Sequence, residues 1–217
     1  MEYLKVCPQR RNYFPPWEEN EFNYLNPFVN LVKSDTADVI YQTLFQEHRA
    51  HYDDFIPVFT DGSKISTHCS FATVFPENTF SFKLHRSCSI FTAEITAALH
   101  ALVLISNRPC GRYIIYIDSL SVLQSLQSSN SNSHPLVFEV LDFYRRLSSK
   151  DFKILFCWIP AHVRINGNEQ ADKAAKLASQ IFYTSIPACD LKKHAKDHKV
   201  VTHVIYICGG GTRHSCT

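Results

Sequence analysis

Two short, nearly uninterrupted apolar runs constrain this chain more than anything else in it: Tyr113-Ile114-Ile115-Tyr116-Ile117 and Ile154-Leu155-Phe156-Cys157-Trp158-Ile159. A strand with apolar side chains on both faces must be covered on both faces, which is the situation of parallel strands in a sheet layered with helices. Helix-period stretches accompany them at 90–106, 119–127, 136–147 and 168–179. In the first of these, Ala93, Ala97, Ala98 and Ala101 leave room for close packing on a sheet. Upstream, β-rich runs at 55–60, 68–75 and 79–84 follow one another across short turns and predict an antiparallel meander. The order predicts an α/β fold: a mixed five-stranded sheet, three strands in an antiparallel meander and two parallel, with flanking helices.

A chain of 217 residues accommodates one such domain and two flanks, divided here as 1–54, 55–180 and 181–217. The first flank holds Pro15-Pro16-Trp17, an acidic run from Glu18 and a predicted helix over 35–49. Asp35 or Thr36 would cap that helix, and Val39, Ile40, Leu44 and Phe45 would share one face, so the flank reads as a linker and a docking helix. The last flank is a basic, histidine-containing tail, expected to be poorly ordered. No apolar run approaches the roughly 18 residues of a membrane span. The N-terminus, with Arg10-Arg11 and no apolar core, does not look like a secretory signal, so an intracellular chain without a membrane partner is expected. The eight cysteines are scattered without a Cys-x-x-Cys pair and read as reduced thiols. Cys189, His194, His198, His203 and Cys208 are the one metal-like grouping in the tail, but their spacing matches no common zinc finger.

Four carboxylates stand at the ends of the predicted elements. Asp61 follows the first strand, Glu94 sits early in the first helix, Asp118 follows the fourth strand, and Asp172 lies in the first turns of the last helix. Functional groups gather beyond the carboxyl ends of parallel strands, where Asp61 and Asp118 would emerge side by side. Singly, each acid has an ordinary explanation: Asp61-Gly62 as a turn pair, Asp118-Ser119 as a helix start, Glu94 and Asp172 as first-turn acids. Together they would repel one another unless cations neutralise them, and an all-oxygen set favours Mg²⁺ or Mn²⁺ over zinc. The formal net charge is only +2, but residues 55–180 hold 12 Lys+Arg against 9 Asp+Glu, and setting the four acids aside leaves 5. A basic body around an acidic pit suits a polyanion held through metal ions.

Phe59-Thr60-Asp61-Gly62-Ser63, Phe91-Thr92-Ala93-Glu94, Tyr116-Ile117-Asp118-Ser119, Trp158-Ile159-Pro160-Ala161-His162 and Gly167-Asn168-Glu169-Gln170-Ala171-Asp172 resemble, in order, the signatures of type I ribonuclease H. The wording around Asp118 and Trp158 is especially like the C-terminal ribonuclease H of non-LTR retrotransposon polyproteins, and the lead-in with Pro15-Pro16-Trp17 is similar to the segment that follows reverse transcriptase. The resemblance implies a ribonuclease H-like sheet and hydrolysis of the RNA strand of RNA–DNA hybrids. It implies two Mg²⁺ ions, with Mn²⁺ as a substitute, held by Asp61, Glu94, Asp118 and Asp172. It also implies proton transfer or product release aided by His162, and substrate contacts from Gly62, Ser63, Arg164 and Asn168. The reverse transcriptase region of a parent polyprotein is the implied protein partner.

The chain departs from that pattern in places. Ala161 and Arg164 stand where the histidine loop usually carries glycine, Leu120 replaces a glutamine, and a polar Ser/Asn stretch at 128–133 stands where a basic handle is often found. The altered loop keeps open a second reading, an inert or weak nucleic-acid-binding remnant of a retrotransposon. A three-acid transposase or integrase site would need Asp151 as its last acid, but Asp151 begins a strand. A proofreading exonuclease would need Asp-x-Glu where the chain has Asp61-Gly62-Ser63.

Overall fold

The computed structural model describes residues 6–7, 22–130 and 132–198. The Pro15-Pro16-Trp17 lead-in, His203 and Cys208 lie outside the described residues. Strands β2 (Ile56–Lys64), β3 (Cys69–Val74) and β4 (Thr79–Leu84) form the expected antiparallel meander. Strand β5 (Arg112–Ile117) lies parallel to β2, and β6 (Lys153–Trp158) lies parallel to β5. A two-residue strand, β7 (Gln180–Ile181), adds to the far edge, giving the order β6-β5-β2-β3-β4-β7. The sheet therefore has six strands rather than five; β7 is too short to leave a periodic signal.

The apolar runs divide by period two, as a doubly covered sheet requires. Tyr113, Ile115 and Ile117, with Ile154 and Phe156, join a core beneath three helices: α2 (Ile90–Ser106), α3 (Leu120–Gln127) and α4 (Pro135–Ser148). Ile114, Tyr116 and Cys157 face the opposite layer. There they meet α1 (Asp38–His51) and the segment before it through Leu25, Phe28, Tyr41 and Phe45. Helix α5 (Asn166–Lys176) packs on β2, β3 and β4. It approaches so closely that a Cβ on Gly167 would fall 2.2 Å from the Phe59 ring.

Residues 22–52 of the first flank thus form a layer of the fold. The Leu25 N–H donates to the Phe156 carbonyl and the Leu25 carbonyl accepts from Trp158 N–H, each at 2.8 Å, which covers the outer edge of β6. Helix α1 begins three residues later than expected, with Ala37 at its N-cap and no side-chain cap, because Asp35 is engaged in a turn back to Val32. Its inward face is also rotated. Tyr41 is 1% exposed while Val39 and Ile40 are 62% and 45% exposed, since burying the larger Tyr41 ring with Leu44 and Phe45 removes more apolar area from water. The segment expected as a tail contributes β7, then β8 (Ile186–Pro187), paired with β1 (Val6–Cys7), and helix α6 (Ala188–His198). Leu191 and Ile186 anchor this part against Cys69, Phe71 and Leu84. Cys69, Cys88, Cys110, Cys157 and Cys189 are free thiols. Among the described residues no helix is long and apolar enough to cross a membrane.

Candidate active site

The register of the parallel pair builds the site. Thr60 pairs with Ile117, the last residue of β5, so one step further Asp61 and Asp118 leave that pairing next to each other. Strand β2 nevertheless runs on to Lys64, and Asp61-Gly62 is strand rather than the turn that the dipeptide suggests, because β3 continues to pair with it on the other side. Glu94 arrives from the first turns of α2, whose N-cap Ser89 accepts from the Thr92 N–H at 3.1 Å. A Cβ on Gly62 would fall 2.7 Å from the Glu94 nitrogen, so only glycine lets the helix come this near to the strand.

Ligand oxygens of Asp61, Glu94 and Asp118 lie within 4.8 Å of one another. Asp61 and Glu94 are 5% and 8% exposed, and Asp61 Oδ2 and Glu94 Oε2 are buried with no hydrogen-bond partner. Burial, then the charges of Asp118 and Asp172, raises the Asp61 carboxyl to about 8. Burial, then Asp118 and Asp61, raises Glu94 well above the usual carboxylate range, against the pull of a hydrogen bond from the Gly62 backbone. Asp118 is also raised, chiefly by burial, while the Asn168 amide and His162 draw it down. Buried oxygens without donors in an oxygen-only set are what a hard divalent cation satisfies, so these residues fit Mg²⁺ or Mn²⁺.

Asp172 and His162 line the same cleft, of about 390 Å³, together with Gly62 and Ser63. Asp172 is not within the closest acid group. It clusters with His162 and Glu169 and pairs with Lys176 one helical turn on, at 2.7 Å. The other two residues expected to contact substrate, Asn168 and Arg164, do not line this cleft. Asn168 is 2% exposed and its amide donates to Asp118 Oδ2 at 3.1 Å, so it positions that carboxylate. The Arg164 side chain is exposed and turns toward Asp38 of α1, 3.6 Å away. Asp151 lies in a turn before the start of β6, at the opposite end of the strands from Asp118, which removes the three-acid alternative.

The histidine loop keeps a left-handed backbone without glycine, with φ of 55° at His162 and 62° at Arg164. Several bonds hold it there. The Arg164 N–H donates to Glu169 Oε1 at 3.2 Å, Lys33 Nζ to the Ala161 carbonyl at 2.7 Å, and Gln42 Nε2 to the Val163 carbonyl at 3.1 Å. Trp158 Nε1 donates to the Asp118 carbonyl at 3.1 Å and joins this loop's base to the acid group.

Residues 53–180 match the family model for RNase H. The chain belongs to the ribonuclease H family. The match spans β2 through α5, ends at the first residue of β7, and includes all four carboxylates and His162. A comparison with curated proteins gives no match. Membership in the ribonuclease H family carries nucleic-acid hydrolysis as the activity class, with binding of RNA–DNA hybrids and metal dependence typical of the family.

Sequence reading missed three contributors. Lys64 and Lys176 line the cleft, and Lys176 was legible as a cation four residues after Asp172. The third is Asp190 on α6, whose Oδ2 accepts from the Ser89 N–H at 2.8 Å and the Thr92 hydroxyl at 2.5 Å, bracing the start of the helix that carries Glu94. His134 Nε2 stands 3.1 Å from the same hydroxyl and His134 Nδ1 accepts from Leu136 N–H at 3.3 Å. Cys189 and Asp190 approach His134 at ligand distance, but hydrogen bonds within the protein already use Asp190 Oδ2 and both His134 nitrogens. Nothing local in the sequence marks Asp190, which comes into place only through the packing of α6.

Proposed function

We propose that this protein is an endonuclease that hydrolyses the RNA strand of RNA–DNA hybrids with two divalent metal ions. One observation carries the reading: Asp61 and Glu94 each bury a carboxylate oxygen without a donor, and ligand oxygens of Asp61, Glu94 and Asp118 lie within 4.8 Å of one another in an open cleft. Asp61, Glu94 and Asp118 would hold the cations, with Asp172 completing the set once it exchanges Lys176 for metal. Divalent ions bound there supply charge neutralisation and Lewis acidity for phosphodiester hydrolysis, leaving a 5′-phosphate and a 3′-hydroxyl.

The protein's own groups do the rest. Asn168 holds the Asp118 carboxylate in its direction. His162, exposed beside Asp172, takes up or delivers a proton or helps the product leave. Backbone groups at Gly62 and Ser63 face the RNA 2′-hydroxyls, and surface cations such as Arg164 grip phosphate. A reverse transcriptase region of a parent polyprotein is the proposed partner, because residues 22–52 form a layer of this fold and the sequence before them resembles the segment that joins the two.

A labelled hybrid tests the assignment. RNA should be cut only when paired with DNA, only with Mg²⁺ or Mn²⁺, and not after EDTA; equal cutting of single-stranded RNA, or cutting that survives chelation, overturns it. The Lys176–Asp172 ion pair favours the second reading, a binding remnant whose fourth carboxylate is permanently taken. Hybrid cleavage by the parent and by Lys176→Ala separates the two: an enzyme cuts as it stands because metal displaces the lysine, whereas a remnant held inert by this ion pair cuts only in the variant, where Asp172 is free.

A further inference from the structure

On the side of the sheet where β4 meets β7 lies a second groove, of about 830 Å³. His68, Lys83, His85, Arg86, Ile181 and Tyr183 are among its walls, and no carboxylate lines it. One wall belongs to residues 181–186, beyond the ribonuclease H match that ends at 180. The Tyr183 ring is 90% exposed, and Ile181 beside it is 61% exposed. The groove adjoins the candidate active-site cleft: Lys64 lines the cleft and its Nζ donates at 2.6 Å to the carbonyl of Cys88, which lines the groove.

We propose that this groove binds a single-stranded nucleic-acid extension leading away from the hybrid, an inference that rests on the nucleic-acid reading of the cleft beside it. A cationic wall without acids selects a polyanion. An exposed aromatic ring stacks on a base, and an unpaired base offers its face where a base inside a duplex is already stacked on both sides. The space is that of a ligand pocket, on the order of two nucleotides, and too small to enclose a duplex.

The test uses the full chain in EDTA, so that binding is read without cleavage, and hybrids of equal duplex length that are blunt or carry a DNA overhang of about six nucleotides. The overhang should tighten binding about tenfold, the scale of one stacked base. Tyr183→Ala should remove that gain and leave blunt-hybrid affinity unchanged; the exposed ring makes the substitution harmless to folding. Lys83→Ala with Arg86→Ala should shrink the gain and flatten its salt dependence. No gain from the overhang overturns the proposal, as does a gain indifferent to Tyr183, which would mean an anion patch only. Competition by polyglutamate as effective as by oligothymidylate also overturns it, in favour of an acidic peptide. A Tyr183-dependent gain in a protein that never cleaves hybrids supports the groove and defeats the hydrolase reading; cleavage of blunt hybrids without the gain defeats the groove alone.

Discussion

At the scale of single residues, the site is a concentration of negative charge held in a poor place for it. In the metal-free protein the folded state keeps protons on Asp61, Glu94 and Asp118 at pH values where the unfolded chain has lost them. Folding stability should therefore fall as pH rises from about 4 through the Asp61 value of about 8. Melting curves at several pH values check this. Added Mg²⁺ should abolish the slope, and Asp61→Asn should raise the metal-free melting temperature at pH 8 while stopping turnover. The histidine is an assistant by comparison. His162→Ala should lower turnover by roughly 10²-fold or less with little change in hybrid affinity, whereas Asp118→Asn should be far worse. Arg164 holds a left-handed backbone that costs a non-glycine residue on the order of 1 kcal/mol. Arg164→Gly should raise the melting temperature, and if the guanidinium grips phosphate the salt dependence of hybrid binding should lose about one charge.

At the scale of elements, precision comes from helix ends and strand register. Asp190 ties α6 to the first turn of α2 through the Ser89 amide and the Thr92 hydroxyl. Asp190→Ala strands those two donors, so denaturant unfolding should show a loss of roughly 1–3 kcal/mol. A Mg²⁺ titration should show weaker binding as Glu94 loses its brace. Period-two and helical patterns made the meander, the two parallel strands and α2 legible from the residues, and α2 lies at the expected 90–106. The four acids were legible as an ordered set within family-like motifs, although the turn expected at Asp61-Gly62 is strand, because β3 keeps pairing with β2 as far as Lys64. What stayed hidden was set by partners distant in sequence. The inward face of α1 depends on the sheet it covers, the two residues of β7 depend on the edge of β4, and Asn168 became a support for Asp118 only once α5 packed under β2.

At the scale of the whole molecule, residues before the ribonuclease H match cover one face of the sheet. The aromatic stack of Phe59 on Tyr116 is closed over by Phe45 of α1, and the outer edge of β6 by Leu25. A fragment that begins at residue 53 and keeps the rest of the chain would present that apolar face and an unpaired strand edge to solvent, the two features that drive proteins to self-associate. It should aggregate when expressed alone and return to the soluble fraction when a separate peptide spanning residues 22–52 is co-expressed, as sedimentation of the two preparations would show. The same peptide delivers Lys33 and Gln42 to the histidine loop. Solubility and turnover should be restored together in such a split protein, and any processing that severs the chain near residue 52 would leave the nuclease dependent on a piece it no longer carries.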